Sequence, residues 1–163
     1  KNHQLIIHQI QNIVKTVPDF KVVFAGNGET LLQCKTLAEQ MGVSKYIMFL
    51  GGRSDIPDLC GMADIHVSPS LQEGLAIGNI EAMATGCPLV LSNIRGHREV
   101  CRDGINGYLF DLNDPQMTDS IIVLFQDKER YELIKATNLH DVHKFSVDCS
   151  VKSMAGIYKS VVE

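Results

Sequence analysis

The sequence lacks any apolar run near the roughly 20 residues that a membrane-spanning helix needs. It shows no signal-peptide pattern at its start. There is no dense run of Lys and Arg, and the formal net charge is -4. These absences exclude a helical membrane span and argue against nucleic acid as a partner. Five cysteines are present, but none forms a C-x-x-C pair, which argues against a zinc site. Cys34, Cys60, Cys87, Cys101 and Cys149 read as small buried or partly buried thiols of a reducing cytosol. No period of 20–50 residues repeats, and no low-complexity linker divides the chain. The first residue is Lys1 rather than Met, and the chain is read as a fragment of a longer protein.

What remains is ordinary globular material. The chain has 163 residues, 45% of them hydrophobic and 21% charged, enough to bury one core. Apolar residues Leu5, Ile6, Ile10, Ile13 and Val14 recur at helical spacing over 5–16. Short β-branched or apolar runs at 21–28, 46–52, 63–70, 88–93 and 107–111 read as buried strands. Helices are predicted over 28–42, 56–63, 77–86, 114–126, 128–140 and 146–162, with Asp55 as a cap and Pro57 in a first turn. Strands alternating with helices imply βαβ crossovers. The fold class is therefore α/β, a Rossmann-like three-layer α/β/α domain with a parallel sheet, spanning 1–163. The strand that opens such a sheet is expected before Lys1. Ligands of these sheets bind at the carboxyl ends of the strands.

Glu73 and Glu81 stand in SPSLQEGLAIGNIEAMATGCPLV, at 68–90. Eight helical steps cover about 12 Å. Two carboxylates that share one glycosidic bond need roughly 5–9.5 Å. Contacts to two separated points of one extended ligand fit this spacing better than an acid/base pair. Between them, Gly74 permits close approach of a ligand. Leu75, Ala76 and Ile77 supply amide groups where the helix starts, a site suited to phosphate. Carboxylate, phosphate site, carboxylate matches sugar hydroxyls, diphosphate and ribose hydroxyls of a nucleotide sugar. The plainer alternative is a helix-capping Glu73 and a solvated Glu81.

This segment resembles the signature of retaining glycosyltransferases of family 4, which have the GT-B fold. The match is E-x7-E at Glu73 and Glu81, followed by Ala82-Met83-Ala84, Gly86 and Pro88. KVVFAGNGE, IMFLGGRSDIPDLCGMADIHVSPS and GHREVCRDGINGYLFDLND support it in the expected order. The likeness covers nearly the whole chain and implies the C-terminal, donor-binding half of a GT-B fold, with the acceptor-binding N-terminal domain absent. By resemblance, Glu73 orients the transferred sugar and Glu81 takes the ribose hydroxyls. Gly74, Leu75, Ala76 and Ile77 meet the diphosphate and sugar through their backbone. Lys1 resembles the family's diphosphate-binding lysine, whose partner Arg lies upstream. Gly52 and Arg53 lie where base and diphosphate are met; for Arg53 the alternative is a surface pair with Asp55. Gly26 and Gly28 shape a turn at the cleft wall.

The implied reaction moves a sugar, from a UDP-sugar by family frequency, to an acceptor hydroxyl with retention. An acceptor glycan or lipid-linked sugar in polysaccharide or glycolipid synthesis is implied, in the cytoplasm, with peripheral membrane association of the longer protein. No Asp-x-Asp motif occurs, so no metal or cofactor is called for. The fragment alone is expected to be inactive. The alternatives are a non-catalytic nucleotide-binding module and a GT-B nucleotide-sugar epimerase. Departures from the family pattern are Leu75-Ala76, where many members have an aromatic and a glycine, and His97 in place of a glycine. His97 is expected on a surface loop, and His66 as a satisfied core histidine.

Overall fold

The computed structural model describes residues 1–113 and 116–162. Helix α1, His3–Ile13, buries Ile6, Ile7, Ile10 and Ile13 on one face. Full burial of each such side chain contributes roughly 1.5–3 kcal/mol. Strand β1 (Val22–Ala25), helix α2 (Leu31–Gln40) and strand β2 (Ile47–Gly51) follow. Helix α3 (Ile56–Met62) has Pro57 in its first turn, as predicted. Asp55 stands at its cap position, but its side chain makes no capping hydrogen bond. The carboxylate turns back to the Arg53 guanidinium instead, a charge-assisted contact that outcompetes a neutral amide.

Strand β3 (His66–Ser68), helix α4 (Ile77–Ala84), strand β4 (Leu89–Ser92), helix α5 (Arg95–Arg98) and strand β5 (Gly107–Phe110) complete the α/β part. The short helix α5 lies within a stretch read as loop. Helices α6 (Gln116–Gln126), α7 (Lys128–Asp141) and α8 (Val147–Val162) finish the chain. The first two residues of the helix predicted over 114–126 lie outside the described residues.

All strand pairs are parallel, in two hydrogen-bonded blocks, β1-β2 and β3-β4-β5. The expectation was one sheet. A ladder needs neighbouring strands about 4.8 Å apart, and among the described residues none joins β1 to β3. Residues of both strands instead line one cavity of about 610 Å³. The blocks still share a core, which unites Val22 and Ile47 with Val90 and Phe110 under α1 and α6. Strand β4 lies between two partners and is buried along its whole length, which explains its unbroken apolar run.

A second cluster joins Ala82, Met83, Cys87, Leu89, Leu91, Val100 and Cys101. Ala82 and Met83 of the A-M-A segment thus pack the core, while Ala84 is exposed. Gly86 ends α4 at φ 79°, and a Cβ there would lie 2.9 Å from Lys135 Cγ and 3.1 Å from Leu139 Cγ on α7. Conformation and packing both require glycine at this point. The same corner is closed by amides. Asn106 Nδ2 donates to Asn138 Oδ1 at 3.1 Å, and Asn138 Nδ2 donates to the Cys87 carbonyl at 3.0 Å.

Four cysteines are buried and Cys149 is exposed. Burial pushes the Cys87 and Cys101 thiols up to about 12. On α8, Val147, Val151, Met154, Ile157 and Val161 form an exposed apolar stripe. Among the described residues no helix is long and apolar enough to cross a membrane.

Candidate functional site

The carboxyl ends of the strands carry the loops of interest. After β1, the Gly26 amide donates to the Gly51 carbonyl at 2.6 Å. Asn27 Oδ1 accepts from the Gly52 amide at 3.0 Å. These bonds tie the loop after β1 to the loop after β2. Gly52 therefore packs against Asn27, a residue the sequence reading passed over. Arg53 lies beyond it, half-exposed and bidentate on Asp55. Of the two alternatives for Arg53, the surface pair is the one present. Neither Gly52 nor Arg53 lines the cavity.

After β3 the chain runs through the Ser70–Gly74 turn into α4. The Glu73 side chain is only 14% exposed and pairs with the Lys1 ammonium. Burial pushes this carboxyl up, but hydrogen bonds from Lys1 and the Ser70 hydroxyl outweigh it, and the acid sits below the ordinary value. Lys1 also lines the cavity. Two residues distant in sequence, and read as separate donor contacts, are thus one ion pair.

Helix α4 starts at Ile77 because Ala76, its cap, is extended at φ -77° and ψ 103°. Leu75 stands ahead of the cap, so its amide is not among those that open the helix, contrary to expectation. The amides of Ile77 and Gly78 have no acceptor within the helix, and they point toward its positive end. Ala76, Ile77 and Gly78 line the cavity. Gly74 has open space where a Cβ would stand. Glu81 lies one turn into α4, half-buried. Burial pushes up the Cys60 thiol of α3, and the Glu81 charge adds to that. No hydrogen bond or ion pair joins Glu81 to Glu73 among the described residues.

The cavity floor holds a further polar pair. His66 Nε2 donates to Asn79 Oδ1 at 2.9 Å, so the half-buried His66 is satisfied. Burial pushes its pKa down. Asn79 is almost wholly buried, yet its Nδ2 has no partner. A buried donor in a cavity wall costs about 1–3 kcal/mol unless an acceptor arrives. His66 and Asn79 both line this cavity. An Asn three residues into a helix carries no distinctive sequence signal, so only the fold identifies it.

His97 was expected at the surface and is fully buried. Helix α5 turns it inward, where Nδ1 donates to the Ser92 carbonyl at 2.9 Å. A loop rich in Arg, Gly and Glu reads as solvated, and periodicity cannot reveal a helix of four residues.

The family model described as glycosyl transferases group 1 matches residues 1–141. The Bacillus subtilis (strain 168) protein named "Putative glycosyltransferase EpsD" is 33% identical over 164 residues, covering 100% of this chain and 43% of that protein. An Escherichia coli UDP-Gal:alpha-D-GlcNAc-diphosphoundecaprenol alpha-1,3-galactosyltransferase is 30% identical over 148 residues, covering 90% of this chain and 38% of that one. The pneumococcal O-GlcNAc transferase GtfA, solved in complex with UDP and GlcNAc, superposes with a TM-score of 0.87 at 18% identity, over 100% of this chain and 34% of that one. The chain spans less than half the length of these relatives. Its architecture is that of the Rossmann-like C-terminal half of a GT-B fold. With the family model matching from Lys1 through Asp141, the chain belongs to the glycosyl transferases group 1 family.

Proposed function

We propose that residues 1–163 form a single nucleotide-sugar-binding domain, the donor half of a retaining glycosyltransferase. The reaction moves a sugar from a UDP-sugar to an acceptor hydroxyl. The acceptor is a glycan or lipid-linked sugar of surface polysaccharide or glycolipid synthesis, held by another domain of the longer protein. The enzyme works in the cytoplasm, with its acceptor at the membrane surface. This chain alone binds donor without transfer.

The observation that carries this reading is that Lys1, ion-paired with Glu73, lines one cavity together with the start of α4 at Ala76, Ile77 and Gly78. When the anomeric bond breaks, negative charge grows on the diphosphate. Lys1 and the amides of Ala76 and Ile77 stabilise that charge from fixed positions, which lowers the barrier without reorganisation. Gly74 and Leu75 offer backbone on the sugar side. Glu73, held ionised by Lys1 and Ser70, accepts hydrogen bonds from sugar hydroxyls and orients the ring. Glu81, one turn further along α4, accepts from the ribose diol. Gly52 and Arg53 meet the base and diphosphate, and Arg53 exchanges Asp55 for a phosphate oxygen when donor arrives.

Calorimetric titration of the chain with UDP, GDP and ADP tests this. Binding of at least one, weakened by Glu81→Ala, supports the reading. Failure of all three, together with unchanged donor affinity of the longer enzyme carrying Glu81→Ala, overturns it.

A further inference from the structure

The end of β4 and the start of α5 form a buried polar knot beneath the Ser70–Gly74 turn. Ser70, Ser92 and His97 are each fully buried, so water does not compete for their hydrogen bonds. The Ser92 hydroxyl donates to the Ser70 carbonyl at 2.5 Å, which anchors the start of the turn. The end of the turn is anchored by contact. A Cβ on Gly96 would lie 2.0 Å from the Gly74 oxygen and 2.4 Å from the Glu73 oxygen.

His97 sets the first anchor. The Ser92 hydroxyl has one hydrogen and gives it to Ser70, so its oxygen accepts from His97 Nδ1 at 3.1 Å. The same N–H reaches the Ser92 carbonyl at 2.9 Å. Both partners accept, which fixes the ring proton on Nδ1. Nε2 faces the Ser68 hydroxyl at 3.5 Å, the outer limit of a hydrogen bond, and Ser68 lies 3.2 Å from the Ser70 hydroxyl.

We propose that Ser92, Gly96 and His97 are positioning residues that hold the Ser70–Gly74 turn, and with it the Glu73 carboxylate, where the donor sugar meets it. The assignment of the sugar to Glu73 rests on the function proposed above. The knot touches no ligand itself. It acts by fixing the backbone on either side of Glu73.

The test compares three replacements in the whole transferase. The substitution His97→Asn places an amide where Nδ1 stands, His97→Gln places one where Nε2 stands, and His97→Leu places none. A displaced reacting group loses on the order of 10²-fold in rate. His97→Leu and His97→Gln are expected to lose turnover on about that scale, while His97→Asn stays within about threefold of the parent. Affinity for whichever of UDP, GDP or ADP binds the parent stays within about twofold in all three, because the diphosphate is held elsewhere. Amide exchange of residues 71–76 accelerates in His97→Leu and not in His97→Asn. Unchanged turnover and exchange in His97→Leu overturns the proposal, as does a His97→Asn variant as impaired as His97→Gln. If His97→Leu does not fold, Ser92→Ala removes the same anchor and gives the same two readouts. If no nucleoside diphosphate binds the parent, the donor reading fails, and the exchange comparison still decides whether the knot holds the turn.

Discussion

Gly96 stands so close to Gly74 that a single added carbon would overlap the Gly74 carbonyl oxygen, 2.0 Å away. The glycine demanded by the E-G pair of the motif is thus matched by a second glycine from another loop. Gly74 has open space where its own Cβ would stand, and Gly96 leaves room for Gly74 itself.

Gly96→Ala is expected to push the Glu73–Gly74 backbone outward. Overpacking of this kind costs roughly 1–3 kcal/mol of stability. A shift near 1 Å at Glu73 lowers transfer on the order of 10²-fold. Denaturant titration and steady-state kinetics of the longer enzyme check both. A variant of parental activity would show that the turn relaxes without moving Glu73.

Glu73→Gln keeps the shape of the side chain and loses its charge. The Lys1 ammonium is more than half exposed, so the ion pair itself contributes at most about 1 kcal/mol to stability. The melting temperature is expected to change little. Turnover falls by at least about tenfold, while nucleoside-diphosphate affinity does not fall, because the sugar contact is lost and Lys1 is left free for the diphosphate. Loss of UDP binding in this variant would contradict the assignment.

Acidification is expected to destabilise the chain through its buried imidazoles. Burial holds His3, His66 and His97 below the ordinary value of 6.5. Unfolded, these rings titrate near 6.5. As pH falls from 6.5 toward the lower folded values, the unfolded chain binds more protons than the folded one, and stability drops. Stability from these groups is fully present above that window. Melting curves between pH 5 and 7.5, at roughly half-unit steps, measure the slope. His97→Asn removes one titrating ring, so its slope is shallower than that of the parent.

Asn138→Leu breaks the amide corner between α4, α7 and the 100–106 loop. The Cys87 carbonyl loses its donor and Asn106 Nδ2 loses one of its two acceptors. Leaving such groups unpaired costs roughly 1–3 kcal/mol each. Chemical denaturation is expected to show a loss in that range with an unchanged m-value.

Thiol labelling of the native chain is expected to modify Cys149 quickly and the other four slowly. Cys87 and Cys101 are pushed up to about 12 by burial, which leaves little thiolate at neutral pH. Mass spectrometry after a short pulse of reagent distinguishes one adduct from several.

Periodicity located the five strands and the main helices, because burial in a parallel sheet demands unbroken apolar runs. Spacing and residue type also singled out Glu73, Glu81 and the start of α4. Helix α5 escaped because four residues show no period, and His97 with it. Asn79 escaped because a polar residue on a helix usually faces water. Asp55 reads from sequence both as a cap and as a partner of Arg53, since sequence does not tell which of two nearby donors a carboxylate prefers.

The order of elements, the parallel class and the motif that joins a carboxylate to a helix start were determined by the sequence alone. They depend on patterns a few residues long. Tertiary structure decided that Lys1 pairs with Glu73, that Arg53 is held by Asp55, and that the strands form two blocks around a cavity. It also decided that Gly96 and His97 pack beneath the Ser70–Gly74 turn. These contacts join residues up to 72 positions apart. Only chain folding into a dense interior brings such groups within a few ångströms, and no local pattern records which of them will meet.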